Sequence, residues 1–105
     1  MARLPITEES FNGYKVPGHM HEGIIGYINR GDQNLGGFLE AFLDNDLKGA
    51  FARADTINAH NMIHTVSWFW NEAPVGCWGG KERREIWQAN GGAVGLGLCK
   101  EGAAP

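Results

Sequence analysis

The longest periodic stretch of the chain, residues 46–73, restricts the fold more than any other feature of the sequence. Apolar side chains recur in it at helical spacing, and Pro74 ends the pattern because proline cannot occupy a helix interior. At about 100° per residue, the apolar face of the second half is turned by roughly a quarter of a circle from that of the first half. We therefore expect one long helix that either contacts two neighbours or bends between Asp55 and Asn58.

Three shorter segments, residues 16–31, 32–46 and 81–92, also carry helical signals, and the strict alternation that marks a β-sheet is absent. In the last of them the pattern predicts two inward-facing residues and a terminal glycine, Ile86, Trp87 and Gly91. A chain of 105 residues lies close to the commonest size of a single domain. The sequence therefore predicts an all-α fold, a small bundle of about four helices in one domain that spans residues 1–105.

The two ends of the chain lack this helical periodicity. Residues 1–16 predict an extended N-terminal arm whose apolar side chains pack on the helical body (residues 17–92) or on a neighbouring subunit. Residues 93–105 predict a Gly-rich C-terminal tail that is at most a short strand or an ordered segment. Glycine accounts for 16 of the 105 residues, about twice the usual share, and most glycines fall where a helix should begin or end. Short helices joined by tight turns are the expected result.

Particular glycines and polar residues mark helix ends. Gly31 is typical of a C-terminal stop, and either Asn45 or Asp46 can cap the helix that follows. Gly23 and Gly26 each weaken the helix that contains them by about 1 kcal/mol relative to alanine. The pair therefore indicates either a close-packing face or a place where a ligand approaches the backbone.

Charge and hydropathy exclude several classes of partner. The formal net charge of −3 disfavours broad electrostatic binding to nucleic acid. No apolar run reaches the length of about 18 residues that a membrane span needs, and the N-terminus has no apolar signal-peptide core. We therefore expect a cytoplasmic protein without membrane contact. In such a compartment Cys77 and Cys99 are expected to be free thiols.

A polar stripe on the predicted long helix is the strongest candidate for a binding site. Arg53, His60, His64 and Asn71 project from similar angles, and Trp68 borders the stripe. A fixed cation, two imidazoles, an amide and an indole suit a planar anionic ligand that stacks on a ring and pairs its phosphates with cations. The stripe contains neither lysine nor glutamate, the usual residues of a solvated face. A solvated face with one long cation is the alternative.

The tryptophans near the end of this helix divide between its two sides. Trp70 falls on the apolar face and is predicted to lie in the core, whereas Trp68 is the better candidate for stacking on a ligand. Trp78 precedes two glycines and Lys81, which begin the last predicted helix. Free backbone N–H groups and an ammonium at a helix start are typical of an anion site. A glycine turn followed by a charged helix is the alternative, because the P-loop pattern is absent.

A second polar set lies in the middle of the long helix. Asp55 falls near the apolar face, and a part-buried carboxylate needs a partner such as Arg53 or Lys48. Asn58 supplies an amide that can bind the edge of a nucleobase. A structural ion pair or a helix cap is the alternative.

The four histidines come in two pairs, His19 with His21 and His60 with His64. A pair at i and i+4 on a helix can supply two metal ligands, but the glutamate of the metalloprotease motif is missing. Surface or half-buried histidines are the alternative. Cys77 beside a histidine is a conceivable nucleophile, yet no paired carboxylates stand at a defined spacing. An enzyme is therefore the less favoured class, and no cofactor is expected.

A discontinuous pattern extends over much of the chain: P-x-H-M-H-x-G … Y-I-x-x-G … G-G-F-L-x-A … N-D-L … A-x-x-R-A-D-x-x-N … W-x-x-N-x-A-P … C-W-G. The residues that carry it lie at 17–23, 27–31, 36–41, 45–47, 53–58 and 71–79. With this pattern the sequence resembles a group of short proteins encoded by tailed bacteriophages and prophages. His60, His64 and the C-terminal tail depart from the pattern, so roles for them do not follow from the resemblance.

The resemblance implies a phage accessory protein that acts in the host cytoplasm, where such proteins commonly antagonise host defence. The first hypothesis is a homo-oligomer that binds and sequesters a nucleotide-derived immune signal without catalysis. Its expected ligand-binding residues are Arg53, Asn58, His60, His64, Trp68, Asn71, Trp78 and Lys81. The alternative is a protein-binding inhibitor or adaptor of a host defence protein, since aromatic residues are common interface anchors. A metal-assisted hydrolase is the third class, with His19, His21, His60 and His64 as candidate ligands.

Overall fold

Seven α-helices occur in residues 1–100, the part of the chain that the computed structural model describes; residues 101–105, the end of the predicted tail, lie outside it. The helices are α1 (His21–Arg30), α2 (Gly37–Leu43), α3 (Leu47–Arg53), α4 (Thr56–His60), α5 (Met62–Glu72), α6 (Lys81–Ala89) and α7 (Gly92–Gly95). Single 3-10 turns lie at Glu8–Phe11, Gly18–Met20 and Val75–Cys77. Residues 1–100 contain no β-strand, which confirms the all-α class. The helices are shorter and more numerous than the four or so expected.

The prediction of a single long helix over residues 46–73 is wrong, because the segment forms three separate helices. The first break is at Ala54, whose backbone is extended at φ −70° and ψ 136°. Asp55 is also extended, and its carboxylate accepts the backbone N–H of Asn58 at 2.7 Å. A side chain that caps a new helix competes with continuation of the old one, which explains a break inside the interval where a bend was expected. A second break falls at Asn61, with φ −111° and ψ 16°.

Two predicted helix ends are confirmed, one at a glycine and one at a capping aspartate. Gly31 closes α1 in the left-handed conformation, with φ 70°. Asp46 caps α3 by accepting the N–H of Gly49 at 2.9 Å. Of the two α6 residues predicted to face inward, Trp87 is buried, but Ile86 is exposed and its prediction is wrong.

A close backbone crossing joins α1 to α7, a short helix that begins at the end of the predicted body and continues into the predicted tail. A Cβ placed on Gly92 would lie 2.7 Å from the Arg30 nitrogen, and one placed on Gly31 would lie 2.9 Å from the Gly92 nitrogen. Gly26 makes a different close contact, since a Cβ there would overlap the Asp32 carboxylate. Of the two glycines within α1, Gly26 therefore belongs to a close-packing site, whereas a Cβ on Gly23 would make only an ordinary contact with Leu39 at 3.6 Å.

The N-terminal arm packs on the helical body, as expected. Ile6 and Phe11 are both buried. The Asn29 side chain of α1 accepts the N–H of Ile6 and donates to the Ile6 carbonyl, each at 2.8 Å. Near the chain start, the Ala2 N–H donates to the Glu72 carbonyl at 2.9 Å. These backbone pairings fix the arm across both α1 and the end of α5.

A chain of aromatic rings crosses the core from this arm to the opposite surface. Phe11 stacks on Trp68 with ring centroids 4.6 Å apart, and Trp68 meets Phe69 edge-on at 5.1 Å. Phe69 contacts Phe42 at 5.1 Å, and Phe42 stacks on Trp78 at 6.0 Å. Such pairs add about 0.5–1.5 kcal/mol beyond the burial of their area.

One charged group in the core ties α6 to α2. The Arg84 guanidinium is buried and pairs with the Asp44 carboxylate, with Nη2 3.2 Å from Oδ2 and Nε bonded to Oδ1. Its Nη1 donates to the Gln88 side chain at 3.1 Å, and Gln88 in turn donates to the Asp32 carbonyl at 3.1 Å. Hydrogen bonding to Asp44 raises the pKa of Arg84 further above its usual value, although burial opposes this.

No helix within residues 1–100 combines the length and the apolar character that crossing a membrane demands.

Candidate functional site

The polar stripe predicted for one long helix is divided among three helices. Arg53 ends α3, His60 ends α4, and His64 and Asn71 lie on α5. Because the three helices have separate axes, helical spacing no longer places these side chains on one shared face. The Arg53 guanidinium donates back to the Gly49 carbonyl of its own helix at 3.2 Å.

The predicted roles of two tryptophans are reversed. Trp68 is wholly buried, and its indole N–H donates to the Ser10 carbonyl at 2.8 Å. It offers no free face on which a ligand could stack. Trp70, predicted to be core, is instead one of the most exposed apolar side chains of α5. The reason is the N-terminal arm, which covers the side of α5 that the sequence pattern had left open.

Asn58 and Asn71 lie in different surroundings. Asn58 is buried on α4, where its amide nitrogen lies 3.5 Å from the Met20 sulfur and its Oδ1 has no hydrogen-bond partner. Asn71 is exposed, and its amide donates to the Ser67 carbonyl of its own helix at 3.0 Å. Asn58, one of the two amides expected to bind a base edge, is therefore buried, and the amide of the other, Asn71, is engaged within α5.

The glycines before Lys81 do not leave their N–H groups free for an anion. Gly79 and Gly80 donate to the same carbonyl, that of Leu43 at the end of α2, at 3.0 and 3.1 Å. The turn thus closes the C-terminus of α2, where carbonyls otherwise lack partners. Lys81 is exposed beside it. The simpler alternative, a glycine turn before a charged helix, describes this segment.

Two of the four histidines, His21 and His19, are paired with carboxylates. His21 places Nδ1 2.8 Å from the Glu8 carboxylate and Nε2 3.0 Å from the Val16 carbonyl, so both ring nitrogens are engaged. His19 lies 3.2 Å from Asp55. The His60 side chain is exposed at the end of α4. In the described range 1–100, no three His, Cys, Asp or Glu side chains come together as a metal site.

The two cysteines are free thiols, as expected. Burial raises the pKa of Cys77 to about 12, so the thiol stays protonated at neutral pH. The hydroxyl of Tyr27 donates to the Cys77 carbonyl at 2.5 Å, and burial raises the pKa of Tyr27 as well. A protonated, fully buried thiol is a poor nucleophile.

An apolar groove that the sequence does not predict lies beside α5, with α3 next to its first half and residues 75–83 next to its second half, and we name it the α3–α5 groove. Its first half is a cavity of about 240 Å³. Leu47 and Ala50 of α3 form one wall, and Met62 and Val66 of α5 form the other. Phe42, a member of the aromatic chain through the core, lies at the same cavity.

The second half of the groove follows α5 towards its C-terminus. This half is a cavity of about 370 Å³ bounded by Trp70, Val75 and Arg83. Asn45 and Trp78 line both halves, so the two cavities adjoin at these residues. Its only charged lining residues are Asp46 in the first half and Arg83 in the second.

Large apolar side chains are exposed at this groove and on the adjoining face of α5. Ile63, Val66 and Trp70, at i, i+3 and i+7 of α5, are 72%, 40% and 79% exposed. Leu47 is 67% exposed and Val75 is 76% exposed. The helical spacing of the α5 residues is visible in the sequence, but the same pattern predicts a buried face. Only the packed structure shows that this face has no cover within residues 1–100.

Two further concavities are more polar. One of about 680 Å³ lies along the N-terminal arm, where Tyr14 donates to the Glu72 carboxylate at 2.6 Å. This bond raises the pKa of Tyr14. The other, of about 520 Å³, lies beside His21 and Arg30. Of the eight residues predicted to bind a ligand, only Trp78 lines any of these four concavities.

Comparison of the chain with protein-family models, with curated proteins and with solved structures gives no match. The resemblance to short phage proteins therefore stays a prediction.

Proposed function

We propose that this chain is a protein-binding module whose α3–α5 groove takes an amphipathic helix of another polypeptide. The observation that carries the proposal is the exposed apolar row of α5, Ile63, Val66 and Trp70, beside a groove with apolar walls. Docking of an amphipathic helix into such a groove is a recurrent mode of peptide recognition, with anchors at helical spacing.

The size of the exposed surface supports a protein partner. Trp70 is 79% exposed and by itself presents close to the area of about 150–250 Å² that an aromatic side chain can bury. Ile63, Leu47 and Val75 add further exposed apolar surface, and large exposed apolar patches are often interaction sites. Tryptophan is also among the residues most enriched at the energetic centre of interfaces.

The groove is less suited to a nucleotide. Phosphates need clustered cations, and Arg83 is the single cation among the residues that line the groove. The predicted stacking residue, Trp68, is closed off in the core. Sequestration of a nucleotide-derived signal therefore has less support than binding of a protein.

The resemblance to phage proteins suggests where such binding would act. A small phage protein of this kind works in the host cytoplasm as an inhibitor or adaptor, and a host defence protein is the partner we propose for that setting. This part of the proposal rests on the sequence pattern alone.

Quantitative affinity purification from bacterial cells tests the protein-binding function. Tagged wild-type chain is compared with Trp70→Ala, which removes the anchor, and with Leu98→Ala, an exposed apolar residue that lines neither half of the groove. We expect a stoichiometric polypeptide, either a second copy or another protein, to be retained by wild type and Leu98→Ala and lost from Trp70→Ala. Identical retention by all three chains would contradict the proposal.

A further inference from the structure

We infer that the helix bound in the α3–α5 groove is α5 of a second copy, so that two chains pair about a two-fold axis. This inference rests on the proposed function, and it assigns the groove itself to a second copy rather than to a host protein. Three properties of the groove support it: its area, its shape and the position of its charges.

The area suits a dimer. A standard interface buries about 800 Å² on each partner, with an apolar centre and a polar rim. Four exposed side chains at the groove, together with Ile63 on the same face of α5, supply most of such an apolar centre; the four are Leu47, Val66, Trp70 and Val75. Two-fold pairing covers both copies of this surface at once, because each chain presents the same patch to the other.

The shape of the groove is complementary to itself. Trp70 projects beside the second half, and the first half is a small apolar cavity between Leu47 and Val66. Val66 and Trp70 lie one helical turn apart on α5, so the groove runs along this helix. If two α5 helices lie antiparallel, the Trp70 indole of each copy enters the first half of the other. Each chain thus supplies both the inserted side chain, Trp70, and the cavity that receives the Trp70 of the other copy.

The charges follow the same symmetry. Asp46 is the only charged residue that lines the first half, and Arg83 is the only one that lines the second half. A two-fold axis near Trp78, which lies at both halves, brings the first half of one copy against the second half of the other. Asp46 then faces Arg83 of the second copy, twice in each dimer. Opposite charges at the two ends of one groove are what a self-pairing surface needs.

Sedimentation velocity of the full chain over a dilution series provides the first test. We expect wild type and Leu98→Ala to sediment as dimers at micromolar concentration, and the dimer Kd of Trp70→Ala to rise at least about tenfold. A wild-type chain that stays monomeric at about 100 μM would overturn the inference. A dimer that Trp70→Ala leaves unchanged would overturn it too.

A charge exchange tests the two-fold geometry directly. Asp46→Lys places two cations opposite each other, and Arg83→Glu places two carboxylates opposite each other, so each variant should form a weaker homodimer than wild type. An equimolar mixture restores both ion pairs, so native mass spectrometry should show mainly the mixed dimer. A statistical mixture of dimers would contradict the proposed axis. Circular dichroism verifies that Asp46→Lys, which also loses the α3 cap, remains helical.

A photo-crosslinking residue in place of Val75 separates this inference from the proposed function. The full chain with that residue is expressed in bacterial cells, irradiated and analysed by mass spectrometry. A crosslink to a second copy supports the inference. A stoichiometric crosslink to a different protein would overturn it and leave the protein-binding function standing. The absence of any crosslink at this exposed rim position would overturn both.

Discussion

Trp68 and Trp70 lie two positions apart on α5, yet Trp68 is 0% exposed and Trp70 is 79% exposed. Residues at this spacing point to different sides of a helix. One side is closed by the N-terminal arm, through Phe11 and the Ser10 carbonyl. The other borders the α3–α5 groove. The Trp68 indole therefore stabilises the fold, whereas the Trp70 indole is available to a partner.

We expect the two tryptophans to respond differently to truncation. Trp68→Ala removes a core ring and its hydrogen bond, and we expect it to lower the free energy of unfolding by about 3–5 kcal/mol. Trp70→Ala should change it by only about 0.5 kcal/mol, because the side chain is already exposed. Urea denaturation at the same dilute protein concentration checks both values. Equal destabilisation by the two variants would contradict the placement of Trp68 in the core and Trp70 on the surface.

The Arg84–Asp44 pair gives a second prediction. Arg84→Met leaves a largely buried carboxylate without its partner, and we expect a loss of about 3–5 kcal/mol. Replacing both residues, Arg84→Met with Asp44→Leu, should restore most of this loss, because no unpaired charge remains. The exposed Arg30–Asp32 pair is the control, since Arg30→Met should cost less than about 1 kcal/mol. A double variant no more stable than Arg84→Met would rule out this explanation.

The stability of the fold should decrease at alkaline pH. In the folded chain the pKa of Cys77 is about 12, against an ordinary value of 9.0, so above pH 9.0 the unfolded chain releases the proton first. The stabilising effect is complete below that value and is lost as the pH rises towards about 12. Burial raises the pKa of Tyr27 too, which acts in the same direction at higher pH.

Each such group adds a slope of up to about 1.4 kcal/mol per pH unit to the free energy of unfolding. Urea denaturation from about pH 8 to about pH 11 measures this slope. Cys77→Ala should make the slope shallower between the two values of the thiol pKa. A slope that is the same in the variant would show that the buried thiol is not responsible.

The crossing of α1 and α7 predicts a difference between two glycines with similar backbone conformation. Gly92 and Gly97 have φ values of 68° and 74°, so replacement by alanine costs about 1–2 kcal/mol at either position. At Gly92 the added Cβ would also meet backbone atoms of Arg30 at 2.7 Å, whereas nothing lies within 4 Å at Gly97. We expect Gly92→Ala to lose about 1–3 kcal/mol more than Gly97→Ala in thermal or urea unfolding. Equal losses would show that only the backbone conformation matters.

Much of the local structure could be predicted from the sequence, since it depends on neighbouring residues. The helical class, the left-handed stop at Gly31 and the Asp46 cap follow from periodicity and from the chemistry of single side chains. The break at Asp55 belongs to the same category, but the strong apolar periodicity of residues 46–73 concealed it. A capping carboxylate three residues before Asn58 was the available signal.

Which helical face became core, and which became surface, was decided only by tertiary packing. Trp68 and Trp70 carry the same side chain in the same helix, and periodicity assigned the wrong one to the interior. The N-terminal arm covers Trp68 because Asn29 pairs with the backbone of Ile6, a contact across 23 positions of sequence. Arg84 is buried because Asp44, 40 positions away, neutralises it. Local patterns indicate that a helix face is apolar, but only contacts between residues distant in sequence determine what covers that face.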